Sequence, residues 1–95
     1  MVRVELHIPH SRSLKEKRAA IKPVVEGLRR RFALSVAEAG YQDTWQRALI
    51  GVAVVSGSHG HAAEIVDTVE RWIWSCPDVE VSAFACQWSE WEPEE

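Results

Sequence analysis

Cysteine is scarce: Cys76 and Cys86 are the only two in 95 residues, with nine residues between them. Two thiols can build neither a disulfide framework nor a four-ligand zinc site, so a pair of buried, reduced cysteines is expected. Long apolar runs are missing as well. No segment approaches the roughly 20 apolar residues that span a bilayer, and the opening MVRVELHIPH holds no run of signal-peptide length. The expectation is a cytoplasmic protein with no membrane partner. Also absent are an internal repeat, a low-complexity linker and any set of nucleophile, base and orienting residue. No enzyme activity and no cofactor are therefore expected.

What is present suffices for one domain, because 46% hydrophobic content supports a single core at this length. We place that domain at residues 1–88 and an acidic C-terminal tail at 89–95, with fraying beyond Trp91. The net charge of −3 hides an asymmetry. Residues 1–47 carry +5 and residues 48–95 carry −8. A division of this kind suits an acidic partner for one face, and it also suits an ordinary surface with an acidic tail.

Val2, Val4, Leu6 and Ile8 alternate with Arg3, Glu5 and His7, the period of a strand with one face on a core. Pro9 ends it. Ser13 stands three residues before Glu16 as a capping box, and from there Leu14, Ile21, Val24, Val25, Leu28 and Phe32 form one apolar stripe at helical spacing. Pro23 removes a helix hydrogen bond and predicts a kink, but the stripe keeps its phase across it, so one helix is expected and not two. The short run from Leu34 to Ala39, the turn residues of Gly40–Thr44 and the apolar stretch Gln46–Val55 predict a hairpin whose second strand is central. A second helix follows Ser56–Gly60, on Ala62, Ile65, Val66, Val69, Trp72 and Ile73, and stops before Pro77. Within it Trp74 falls off the core stripe. A last strand pairs Val79, Val81, Ala83 and Ala85 on one face with Glu80, Ser82, Phe84 and Cys86 on the other. The order βαββαβ predicts an α+β, ferredoxin-like fold: a four-stranded antiparallel sheet with two helices on one face.

Four blocks, RSLKEKR at Arg12–Arg18, SVAE at Ser35–Glu38, QDTWQR at Gln42–Arg47 and GVAVVS at Gly51–Ser56, together resemble the YlxP-like family of small bacterial proteins of unassigned function. The resemblance covers roughly residues 2–86. It implies a ferredoxin-like fold and a gene setting near translation and ribosome-maturation factors, and it implies no activity, substrate or cofactor. Tyr41 stands where the family pattern leads one to expect histidine.

Lys15, Arg18, Lys22 and Arg29 share one flank of the first helix, with Arg12 ahead of it and Arg29, Arg30 and Arg31 at its end. Such a flank either follows a phosphate backbone, helped by the free N–H groups at the helix start, or is a solvated face that keeps the protein soluble. We take Arg12, Lys15, Arg18, Lys22, Arg29 and Arg30 as the nucleic-acid-binding set, facing ribosomal RNA or a ribosomal particle. Base stacking on the open sheet face is not expected, because the first and third strands offer Arg3, Glu5, His7, Leu49, Gly51, Ala53 and Val55, with no aromatic platform. Those apolar side chains, joined by Ala37 and Phe84, suggest a covered sheet and hence a homodimer, or else a tail or loop folded over it.

Three further groups were weighed. Glu38, Asp43, Gln46 and Arg47 crowd one hairpin with Gln42 and Trp45, and without a nucleophile the expected roles are structural, with Glu38 pairing Arg47 and Asp43 or Thr44 capping the turn. His7, His10, His59 and His61 read as loop histidines without a metal. The Pro9–Ser13 loop lacks the glycines that a phosphate-closing pocket needs, which ranks acyl-phosphate hydrolysis third. The alternative to an RNA-binding module is a homodimeric protein-interaction module acting through its sheet face and the Trp88–Trp91 tail.

Overall fold

A computed structural model describes residues 1–91. The chain runs β1 (Val2–His7), α1 (Leu14–Phe32), β2 (Ser35–Gly40), β3 (Arg47–Ala53), α2 (His59–Trp74) and β4 (Glu80–Cys86). All pairings are antiparallel and the strand order is β2-β3-β1-β4, the ferredoxin-like arrangement that the alternation and helical stripes predict. The tail expected to fray beyond Trp91 lies outside the described residues.

Alternation decides which strand faces meet the helices. Val2, Val4, Leu6, Ala48, Ile50 and Val52 are buried on one side of the inner strands, where Ile21, Val24 and Leu28 of α1 and Val66, Val69 and Ile73 of α2 close over them. The other side carries Arg3, Glu5 and His7 of β1 between Leu49 and Gly51 of β3 and Ala83 and Ala85 of β4. No helix covers it.

In β4 the register differs from simple alternation. Glu5 pairs with Ala83 but Leu6 pairs with Val81, so Ser82 is an extra residue in a β-bulge, its Oγ donating to the Glu5 carbonyl at 3.3 Å. The phase reverses there, and Phe84 opposite Val4 turns to the core instead of joining the open face. Cys86 follows it inward. Cys76 and Cys86 are free thiols, but each is only half-buried, because one lies beyond the end of α2 and the other on an edge strand.

Local chemistry sets the helix ends. Ser13 Oγ accepts from Glu16 N–H at 3.0 Å, and the Glu16 carboxylate reaches back to Arg12 N–H, one residue before the position that a capping box uses. Ser58 caps α2 in the same way through His61 N–H. α1 passes through Pro23 as one unbroken helix. Pro23 cannot donate to the carbonyl of Ala19, and both residues are exposed, so that carbonyl is open to solvent. Gly27 lets the two helices approach: a Cβ there would collide with the indole of Trp72 at Cη2. Trp72 also meets Phe32 edge-on at 6.0 Å and carries the Arg31 guanidinium 5.6 Å above its ring. Trp74 is exposed, as its place off the stripe predicts.

The segment after β4 first extends the ladder, with Gln87 N–H donating to the Met1 carbonyl at 2.8 Å and the Met1 ammonium donating to the Gln87 carbonyl at 3.0 Å. It then turns to the start of α2. Trp88 packs on His59 with ring centres 4.5 Å apart, and Glu90 Oε1 sits 3.4 Å from His59 Nδ1. Over the described residues the tail leaves the open sheet face uncovered. Trp91 is 94% exposed.

Candidate nucleic-acid interface

At about 100° of turn per residue, Lys15, Arg18, Lys22 and Arg29 fall within an arc of about 60° on α1. Trp72 contacts Gly27 and Arg31 on one flank of α1, while Arg29 reaches β2 from the other, so the basic arc lies away from α2, above the edge strand β2. Arg12, Lys15, Arg18, Lys22, Arg29 and Arg30 are all exposed. Among the described residues none of the six forms an ion pair. Lys15, Arg18, Lys22 and Arg29 make an open cationic arc, whereas Arg30 points about 100° round the helix from Arg29 and lies off it.

Arg29 differs from the other five. Its Nη2 donates to the Val36 carbonyl of β2 at 2.7 Å, which ties the last turns of α1 to the sheet edge and leaves only part of the guanidinium for an outside anion. A charge reversal there would break a structural bond as well as remove a contact.

One cation of the helix is used quite differently. Lys17 is completely buried, and its Nζ donates to the carbonyls of Tyr41 at 2.7 Å and Gln42 at 3.2 Å while lying 3.3 Å from Glu38 Oε2. That oxygen is off the hydrogen-bonding direction and accepts no other bond, so the pair is held by charge. Tyr41 sits in the left-handed region at φ 56°, a costly conformation for a bulky residue, and the buried ammonium holds it there. Sequence analysis missed this role, although Lys17 stands four, seven and eleven positions before Ile21, Val24 and Leu28, on the core stripe itself.

The hairpin pairing therefore differs from expectation. Glu38 faces Lys17, because it lies on the core side of β2, and cannot pair Arg47 across the hairpin. Arg47 instead donates to the Tyr41 hydroxyl at 2.9 Å, lies 3.4 Å from Glu5 Oε1 and sits 4.0 Å above the Tyr41 ring, while Tyr41 Oη donates to Glu5 Oε1 at 3.0 Å. The turn is closed by Thr44 N–H donating to the Tyr41 carbonyl, not by a side-chain cap from Asp43 or Thr44. Gln46 Nε2 donates to the carbonyls of Pro9 and Ser11, joining the hairpin to the loop before α1. Both carboxylates, Glu5 and Glu38, are thus engaged by neighbouring cations.

The histidines lie apart. His7 pairs with Glu80 at 3.3 Å on the sheet, His59 packs on Trp88, and among the described residues no three groups of metal-ligating type converge. Burial pushes the Cys76 thiol up from its ordinary value, and the charge of Arg31 partly opposes that. Among the described residues no helix is long and apolar enough to cross a membrane.

Compared with known proteins, the chain is 40% identical over 76 residues to the uncharacterized protein YlxP of Bacillus subtilis (strain 168), an alignment covering 80% of this chain and 83% of the relative. The family described as protein of unknown function (DUF503) matches residues 1–86, which take in every strand and helix of the fold. This chain belongs to that family.

Proposed function

We propose that the protein is a non-catalytic RNA-associated module that docks the basic flank of α1 on a phosphate backbone, with ribosomal RNA or a ribosomal particle as the partner. The observation that carries this reading is the contrast within one helix. Lys17 is buried and neutralised by Glu38, whereas Arg12, Lys15, Arg18, Lys22 and Arg30 stand in solvent without an ion pair among the described residues. From Lys15 to Arg29 the cations extend about 21 Å along the axis, long enough to face several phosphates. The gene setting implied by the family resemblance agrees with such a partner.

Fluorescence anisotropy with a labelled ribosomal RNA fragment tests the reading, with purified ribosomal subunits as a second probe. Binding through about four phosphates falls with salt at a log–log slope near −3 on single-stranded RNA. The triple variant Lys15→Glu, Arg18→Glu, Lys22→Glu loses binding while its thermal melt stays that of the parent, since all three side chains are exposed. Unchanged affinity in that variant would discard the reading. Arg29 is left in place because of its bond to Val36.

A further inference from the structure

We propose that the open face of the sheet is the seat of a second copy of this chain, packed face to face across a two-fold axis that crosses the strands at the level of Val4. The face is self-complementary about that line. Arg3 and Glu5 lie one step to either side of Val4 on the inner strand β1, and across the ladder they pair with Gly51 and Leu49 on β3 and with Ala85 and Ala83 on β4. A half-turn about the line lays Arg3 over Glu5 of the other copy, Leu49 over Gly51, and Ala83 over Ala85. Charge meets opposite charge, and the one large apolar side chain on the inner strands meets the residue without a side chain.

Gly51 gives this geometry its independent support. It lies in the middle of an inner strand, where glycine weakens the sheet, and it has no positive φ to require it. Nor does the single chain need the space: a Cβ at Gly51 would be 3.6 Å from Ala39 Cβ, an ordinary contact. Close approach by something outside the chain accounts for the missing side chain. Arg3 is likewise exposed with no ion pair among the described residues. Both bonds that the Glu5 carboxylate accepts inside the chain go to Oε1. Alanine at 37, 83 and 85 keeps the middle of the face flat enough for sheets to reach the usual separation of about 10 Å, with Arg47 on the Tyr41 ring standing at the His7 end, away from the axis. A sheet of four strands of this length presents about 450 Å² in projection, or about 900 Å² for the pair, just under the size of standard stable interfaces, so a weak and concentration-dependent dimer is expected.

Sedimentation velocity of the full chain from about 1 μM to 1 mM, a range that covers weak self-association, tests it. The mass rises from 10.8 kDa toward twice that value in the parent. Gly51→Val and Arg3→Glu each hold the monomer at concentrations at least tenfold higher, with Gly51→Val melting no lower than the parent. Mixing Arg3→Glu with Glu5→Arg restores a heterodimer, since every pair across the axis is then opposite in sign, although each variant alone is monomeric. A parent that stays monomeric at every concentration overturns the proposal. So does a dimer that both Gly51→Val and Arg3→Glu leave intact, or a monomer whose sheet-face amide signals shift only when residues 87–95 are deleted, which assigns the face to the chain's own tail. Should Gly51→Val fail to fold, Arg3→Glu and the mixing experiment still decide.

Discussion

Lys17 concentrates more of the structure than any other side chain on α1. Its ammonium holds two carbonyls and a carboxylate of the hairpin 21 to 25 positions away in sequence, with no solvent contact. Lys17→Met leaves the Glu38 carboxylate, only 22% exposed, without its cation. We expect a loss of about 3–5 kcal/mol in urea unfolding, partly recovered by adding Glu38→Leu. Gly27 acts through absence. Alanine improves the intrinsic preference of a helix, but here the added methyl collides with the indole of Trp72. The expected net effect is a destabilisation of about 1–3 kcal/mol, shrinking when Trp72 is replaced by leucine. For Cys76 the direction of the pKa shift fixes a pH dependence. Burial favours the neutral thiol in the folded chain, so its contribution is fully present below the ordinary value of 9.0 and is lost as pH rises past it. Thermal melts between pH 8 and pH 10 check this against Cys76→Ala, and slower alkylation of Cys76 than of a free thiol peptide is the companion measurement.

Among the elements, the periods of two and 3.6 made the fold legible, because β1, α1 and α2 each put apolar residues on a single face, while the continuous apolar run of β3 marked it as an inner strand. Where two elements must agree, legibility failed. The bulge at Ser82 is set by how β4 fits β1, and nothing within β4 announces it, so Phe84 was assigned to the wrong face. The exposure of the basic flank could be read from helical phase, whereas the bond from Arg29 to Val36 could not, since a backbone carbonyl has no sequence signature. Lys17 marks a third case, in which the phase was readable but its charge argued against burial. Helix ends yield two predictions. Ser13→Ala removes the acceptor for Glu16 N–H and costs about 1 kcal/mol. Ala33 ends α1 at φ 52°, a left-handed position that suits glycine, so Ala33→Gly raises the urea midpoint, by about 0.5 kcal/mol in stability.

On the scale of the whole molecule, the opposite charges of the two halves become two sides of one body. The basic arc of α1 lies over β2, while Glu64, Asp67 and Glu70 stand on α2, the helix that receives the acidic tail through His59. Removing residues 89–95 takes four glutamates from the chain. If α1 meets a polyanion, that deletion leaves RNA affinity unchanged or raises it, and a fall in affinity would instead implicate the tail in contact. The same arrangement bears on a hazard common to open sheets. An edge strand offers unpaired backbone groups to any other extended chain, and β2 is such an edge. With Arg29 already bonded to Val36 there, a newcomer seeking to template on that margin finds the acceptor occupied and a crowd of positive charge above it. The helix that offers cations outward thereby also shields the β2 edge of the sheet from strand addition.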